Sequence, residues 1–359
     1  MTNATTREAK VTRARWIRRP EGSNWGDFGP DDALGRMNLL TPQRVRAAVA
    51  EVREGITRAL SLPLTLPGGN GLNPNRFPPV LRPTRRFGEV NFNYELHRKV
   101  EGATDVLCDD LAVLHLQYST QWDSFAHAGA LFDADGDGVA EPVFYNGFRA
   151  GEDVVGPSDL DDSGFGGLHE RTTSSGGALG IDNLARTGAQ GRGVLIDLRR
   201  HLGEERTLVG YDTLAEIMAA DGVEVEEGDL VCLHTGFAQR LVEMGGDPDP
   251  DVLHGACAAL DGRDERLQQW ITDTGLTALI ADNYAVENLP SRPADPPAPA
   301  LPLHHHCLFK LGVHLGELWH LTPLADDLHR LGRSRFLLTA PPLNLPGAVG
   351  SPTTPIATL

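Results

Sequence analysis

Residues 117–127 read Gln-Tyr-Ser-Thr-Gln-Trp-Asp-Ser-Phe-Ala-His, which places two carboxamides, a carboxylate and an imidazole within one short stretch. On a strand, residues two apart share a face, so Gln117, Ser119, Gln121 and Asp123 are expected to project to one side. His127 follows Asp123 by four, the helical spacing that puts two side chains on one face. A strand running into a helix would aim these groups at one point, suited to a metal, a water or a polarised carbonyl. The same spacing also fits a polar sheet edge followed by a loop.

A second cluster is Leu-His-His-His-Cys-Leu-Phe-Lys-Leu-Gly-Val-His-Leu-Gly-Glu-Leu at 303–318. Successive residues on a helix point about 100° apart, so only one or two of His304, His305 and His306 can face a shared site. All three flanking a helix start at the surface is the plainer alternative. A third cluster, Asp-Ala-Asp-Gly-Asp-Gly-Val-Ala-Glu at 133–141, spaces Asp133, Asp135, Asp137, the Val139 carbonyl and Glu141 like a calcium loop. Phe144 stands where a full EF-hand needs its bidentate glutamate. A shorter structural calcium site or an acidic hairpin turn therefore remain the two readings.

The elements that must position these groups have their own signals. Thr41-Pro42 opens a helix with a stripe of Val45, Val49 and Val52, closed by Gly55. Helices are also expected over 212–221, on Leu214, Ile217 and Met218 with Gly222 as the stop, and over 263–274, on Leu267, Trp270 and Ile271 with Gly275 as the stop. Strands are expected over 56–64, 111–119, 194–198, 230–234, 279–282 and 336–339. Several are continuous apolar runs, which suit strands covered on both faces. The mixture predicts a layered α/β or α+β body with one main sheet. Residues 64–84 and the proline-rich 288–302 read as irregular, the latter as a lid, a subunit-crossing arm or a surface connector.

These residues resemble the cyclase family of metal-dependent hydrolases, which includes bacterial kynurenine formamidase and isatin hydrolase. The family motif, His-x-Gly-Thr-His-x-Asp-x-Pro-x-His, is matched at Thr120, Asp123 and His127. Gln117 and Gln121 stand at its first two histidines, Ser119 at its glycine and Phe125 at its proline. The segments 29–41, 193–198, 228–237 and 312–317 resemble further blocks of a longer subfamily. The resemblance implies a swivelling β/β/α fold, a divalent metal, and a homodimer or homotetramer. It implies Gln117, Gln121, Asp123, Glu317 and one histidine as metal ligands. A spacing of thirteen before Glu317 selects His304, and the shorter members' spacing of twelve selects His305. His127 is the implied general base and then acid. Amide oxygens in place of two imidazoles shift the expected ion from zinc toward manganese. Thr120, Tyr145, Asn146, His234 and Asp282 are expected to border the site, and Glu287 ends the segment that carries Asp282.

The implied reaction is hydrolysis of a small-molecule amide, lactam or lactone. The rivals are a ring-forming cyclase or dehydratase on the same fold, and a metal-free binding protein. A net charge of −17 argues against nucleic-acid and anionic-membrane partners. The four scattered cysteines form no Cys-x-x-Cys pair and fit a reducing cytoplasm. No apolar run is long enough for a membrane span. Residues 1–15 read as a disordered tail and 16–359 as one catalytic domain.

Overall fold

A computed structural model describes residues 15–164 and 172–359. The expected tail over 1–15 lies outside the described residues except for Arg15, which donates to Asp31 Oδ1 at 2.8 Å.

Among the described residues the main sheet has nine strands. In chain order they are β1 (Thr57–Ala59), β2 (Gln121–Asp123), β3 (Gln190–Asp197), β4 (Leu230–His234), β5 (Ala278–Ala281), β6 (His314–Glu317), β7 (Arg335–Thr339), β8 (Gly350–Pro352) and β9 (Ile356–Thr358). Their spatial order is β1-β9-β7-β3-β4-β5-β6-β2-β8. Strands β3 to β6 run parallel, and antiparallel strands extend both flanks.

Alternation along the central strands explains their unbroken apolar runs. Val194 and Ile196 of β3, Val231 and Leu233 of β4, and Leu279 and Ala281 of β5 enter one core. Leu195, Leu230, Cys232, Ala278 and Ile280 enter a second core on the other face. Both faces are thus covered, as parallel strands require. The first core is closed by α1 (Tyr211–Asp221), through Leu214 and Ile217, and by α2 (Glu265–Thr274), through Leu267 and Ile271. The second is closed by α3 (Thr322–Leu331), through Leu324 and Leu328. Gly222 and Gly275 end α1 and α2 in the left-handed region, where a residue without Cβ is least strained.

The expected boundaries hold within about two residues in these central elements, except that β3 starts four residues before the expected 194, and they fail elsewhere. The helix at Pro42–Val49 is capped by Thr41 as expected but stops at Ala50 rather than Gly55. It buries Ala48 and leaves Val49 exposed, because one short helix offers the body only a narrow stripe. The strand expected over 56–64 covers only Thr57–Ala59. The strand expected over 111–119 is Asp110–Val113, paired with Val80–Pro83 outside the main sheet. Gln117 and Ser119 therefore sit in a turn and not on a strand. The helix expected from Asp123 to His127 is instead a tight turn, in which the His127 amide donates to Ser124 O at 3.0 Å.

Candidate active site

Strand β2 builds the floor of the site. Trp122 points into the second core, where it packs edge-on to Trp319 and donates from Nε1 to Ala340 O at 2.7 Å. Period-2 alternation then sends Gln121 and Asp123 to the opposite face. The neighbouring strand β6 pairs in a register that sets Gln121 directly across from Glu317. On the other side β8 sets Gly350 across from Asp123. A Cβ at Gly350 would lie 2.5 Å from Gln117 Cγ, so that glycine leaves room for the Gln117 side chain. Thr120 ties the start of the strand down. Its hydroxyl accepts from the Leu62 amide at 2.8 Å and donates to Leu318 O at 2.5 Å.

The polar groups form one connected network. Gln117 Nε2 donates to Asp123 Oδ1 at 2.5 Å and lies 2.9 Å from His127 Nδ1. Gln121 Nε2 donates to Glu317 Oε2 at 3.0 Å and lies 3.4 Å from Asp123 Oδ1. His304 stands between two carboxylates, with Nδ1 2.8 Å from Glu287 and Nε2 3.4 Å from Glu317. Glu287 is fully buried and also accepts from the Leu303 and His304 amides, so it caps the helical turn that carries the histidine. Ligand atoms of Asp123, His127 and His304 lie within 4.8 Å of one another. Glu317 stands beside that trio, against His304. As arranged, the two glutamines turn their amide nitrogens to the carboxylates. Gln121 Oε1 and Asp123 Oδ2 are left buried without a partner.

Electrostatics follow from this packing. Burial raises the Asp123 pKa, reinforced by Glu317 and opposed by His127 and His304. Burial pushes Glu317 the same way, but its contact with His304 wins and holds the carboxyl below its ordinary value. Burial alone would depress His304; the bonds to Glu287 and Glu317 instead push it up to about 10. The other two members of the histidine run do not join the network. His306 Nε2 lies 2.8 Å from Gln268 O and 3.0 Å from Thr272 Oγ1. His305 packs on Phe309 and, with His304, lines an adjoining hollow formed with residues 297–301. Burial lowers both to about 4.

The network opens onto a cavity of about 600 Å³, within the range of small-molecule sites. Gln117, His127, His304 and Glu317 face it. Apolar walls come from Leu72, Leu289, Pro290, Leu301 and Leu318, and Arg76 and Tyr118 add polar groups. Both irregular segments, 64–84 and 288–302, therefore contribute to the cavity.

Of the residues expected to border the site, Thr120 supports it directly. Tyr145 and Asn146 instead anchor the N-terminal block. The Tyr145 hydroxyl lies 3.3 Å from Asp32, and Asn146 accepts from Trp16 and Gly26 and donates to Gly29 and Asp32 carbonyls. His234 bonds Asp197 and Thr322, and Asp282 accepts from the Thr235 and Gly236 amides. None of these four lines the cavity, because each is used to join loops below the sheet end. Two residues do more than their sequence signals suggested. Glu287 holds His304, and Arg76, in a stretch read only as irregular, projects into the cavity. The acidic loop gathers Asp133, Asp135 and Asp137 within 4.8 Å. Arg18 pairs with Asp133, and Arg149 with Asp135 and Glu141, so guanidinium groups already offset its charge. The Val139 side chain is exposed, and its amide donates to Asp137.

The fold is that of a cyclase-type α/β protein. A family model described as "Putative cyclase" matches residues 64–288. A solved structure of a novel cyclase superposes with a TM-score of 0.70 at 32% identity, covering 94% of this chain and 97% of that one. This chain belongs to the cyclase family. Isatin hydrolase A from Labrenzia aggregata, bound to benzyl benzoate, shares the fold at a TM-score of 0.52 and 12% identity, over 86% of this chain and 94% of that one. An isatin hydrolase bound to the product analogue thioisatinate gives 0.51 and 13%, over 89% and 99%. No curated protein matches the sequence significantly. Among the described residues, no helix is long and apolar enough to cross a membrane.

Proposed function

We propose that this chain is a metal-dependent hydrolase that opens a small-molecule amide, lactam or lactone at its carbonyl. The meeting of Asp123, His127 and His304, with His127 and His304 opening onto the cavity and Asp123 buried behind them, carries the reading. The donor set fits a divalent cation. Asp123 Oδ2 and Gln121 Oε1 are buried acceptors without partners, a costly state unless a positive charge or a donor meets them. Those oxygens and His304 would hold the ion, and the amide oxygen favours manganese over zinc. When bound, such a cation lowers the pKa of a water and polarises a carbonyl oxygen.

The chain's own groups supply orientation and proton transfer. Glu287 fixes the His304 ring, as carboxylates behind ligating histidines do. His127 is the least buried member of the trio. Gln117 donates to its Nδ1, so the neutral ring carries its proton on Nε2. That proton serves the leaving nitrogen or oxygen. Because Nε2 already carries a proton, the base role that the resemblance implied for His127 passes to the Glu317 carboxylate on the same cavity wall, which takes the proton of the attacking water. Leu72, Leu301 and Leu318 give the reacting carbonyl apolar walls.

Chelation should abolish turnover, and His127→Ala should lose activity while melting normally. Turnover unchanged by both treatments would reject the mechanism. Product formed in ¹⁸O-water should carry one solvent oxygen; product without it would assign the ring-forming reaction instead. The reading includes a cytoplasmic homodimer or homotetramer. Segment 80–113 supports the assembly, since its paired strands leave Leu81, Phe87, Val90, Phe92 and Val106 exposed.

A further inference from the structure

The hydrolase reading leaves the substrate open, and the cavity holds one group that the chemistry above does not use. Arg76 lies in the irregular segment after the first strand and is only half-buried. Its Nη1 donates to Gln117 O at 2.6 Å, so the guanidinium is moored to the backbone of the very residue that contacts Asp123 and His127. Among the described residues it forms no ion pair. In this acidic chain most of the other cavity-remote arginines do, among them Arg18, Arg58, Arg149, Arg192, Arg333 and Arg335. Its field reaches Glu317, whose carboxyl it helps to hold ionised. Arg76 lines a cavity whose walls include the apolar Leu72, Leu289 and Leu301 and the polar Asn73, His254 and Tyr284.

A guanidinium that lines a cavity and forms no ion pair has N–H donors left for a ligand. Its planar fork matches a carboxylate with two parallel hydrogen bonds. We propose that Arg76 is a specificity-determining residue that binds a carboxylate borne by the substrate, remote from the bond being cleaved. The substrate class is thereby an amide, lactam or lactone that carries an anionic group on an apolar or aromatic frame. Arg76 takes no part in proton transfer. It orients the substrate by anchoring the far end while the carbonyl meets the Asp123 network.

This inference rests on the hydrolase reading for the reaction but not for the binding, so a binding experiment separates the two. Benzoate and benzamide, which share a frame and differ in charge, are titrated into the metal-loaded protein by calorimetry. Wild type should bind benzoate at least about tenfold more tightly than benzamide, the scale of a hydrogen-bonded charge pair. Arg76→Gln should erase that preference, and Arg76→Lys, which keeps the charge and loses the fork, should retain only part of it. The readout is the ratio of benzoate to benzamide affinity within each protein, and a melting temperature matching wild type reports that each variant is folded. Equal binding of the two probes by wild type would overturn the assignment. So would a benzoate preference that survives Arg76→Gln or disappears on chelation alone, since the anion would then be held by the cation. A protein that passes this test yet hydrolyses no carboxylate-bearing amide or lactone would refute the hydrolase reading and leave Arg76 as the anion-binding residue.

Discussion

The Gln117 amide nitrogen bridges Asp123 and His127, 2.5 Å from the carboxylate and 2.9 Å from Nδ1 of the ring. Asp123 Oδ1 accepts from the nitrogen end of the amide, whose second hydrogen faces the imidazole. One neutral side chain thereby orients the carboxylate and selects the histidine tautomer. Gln117→Ala should lower kcat about 10- to 100-fold, the usual scale for groups that orient active-site residues. Gln117→Glu should be worse than the alanine variant. It sets a second carboxylate against Asp123 and accepts from Nδ1, which reverses the tautomer. Steady-state kinetics on both variants, with ¹⁵N shifts of the His127 ring, check this. An unchanged tautomer in Gln117→Ala would remove the orienting role.

Gln117 and Gln121 occupy the positions where the family motif has histidines. The double variant Gln117→His/Gln121→His should bind zinc at least tenfold more tightly than wild type, because imidazole is the better zinc ligand. The manganese preference should shrink with it. Competition against a chromophoric chelator measures both affinities. Equal zinc affinity in the two proteins would place the cation away from these side chains.

The parts of this architecture that were legible in the sequence are those fixed by local pattern. Strand β4 follows from its apolar run alone, and α1 and α2 follow from their stripes and closing glycines. Asp123, His127, Glu317 and one histidine of the run were implied by the family resemblance, and the fold brings ligand atoms of Asp123, His127 and His304 within 4.8 Å with Glu317 against His304. The spacing argument nevertheless had the wrong geometry. Gln117 reaches the site from a turn, and His127 returns through a hydrogen bond to Ser124 rather than along a helix. Neither reach has a periodicity to betray it. Arg76 could not be placed at all, since its position depends on where an irregular segment crosses the cavity. Glu287 was marked only as the end of the segment that carries Asp282. Its role comes from a helical turn beginning fifteen residues later at Pro302, whose amides happen to need an acceptor there.

The Asp197–His234 pair, 2.8 Å apart at the ends of β3 and β4, should make stability pH-dependent. Burial raises Asp197, but the histidine outweighs it and the carboxyl sits below its ordinary 3.8. Burial lowers His234, but Asp197 outweighs it and the ring sits above its ordinary 6.5. The aspartate's contribution is present above its unfolded pKa and lost as pH falls through the folded one. The histidine's is complete below its unfolded pKa and lost as pH rises through the folded one. Both act fully between about pH 4 and 6.5. Asp197→Asn should therefore cost about 1–3 kcal/mol near pH 5 and progressively less as pH rises beyond 7. Urea titrations at pH 5 and 9 measure the difference, and an equal cost at both would reject the ion pair as its source.

Glu287 carries two duties that one substitution can separate. It accepts from the Leu303 and His304 amides, which supports the helical turn, and it meets His304 Nδ1, which orients the ring. Glu287→Gln preserves the shape but turns one acceptor into a donor facing N–H groups. The turn should lose about 1–3 kcal/mol of stability from the broken charge-assisted bonds. His304, no longer held between two carboxylates, should also fall from its raised pKa of about 10 and lose its fixed tautomer. Loss of such a supporting carboxylate weakens metal binding about 10- to 100-fold. Calorimetric metal titration and thermal melting should both shift. A lower melting temperature with undiminished metal affinity would mean that Glu287 serves only to cap the turn, and that the cation is not held by His304.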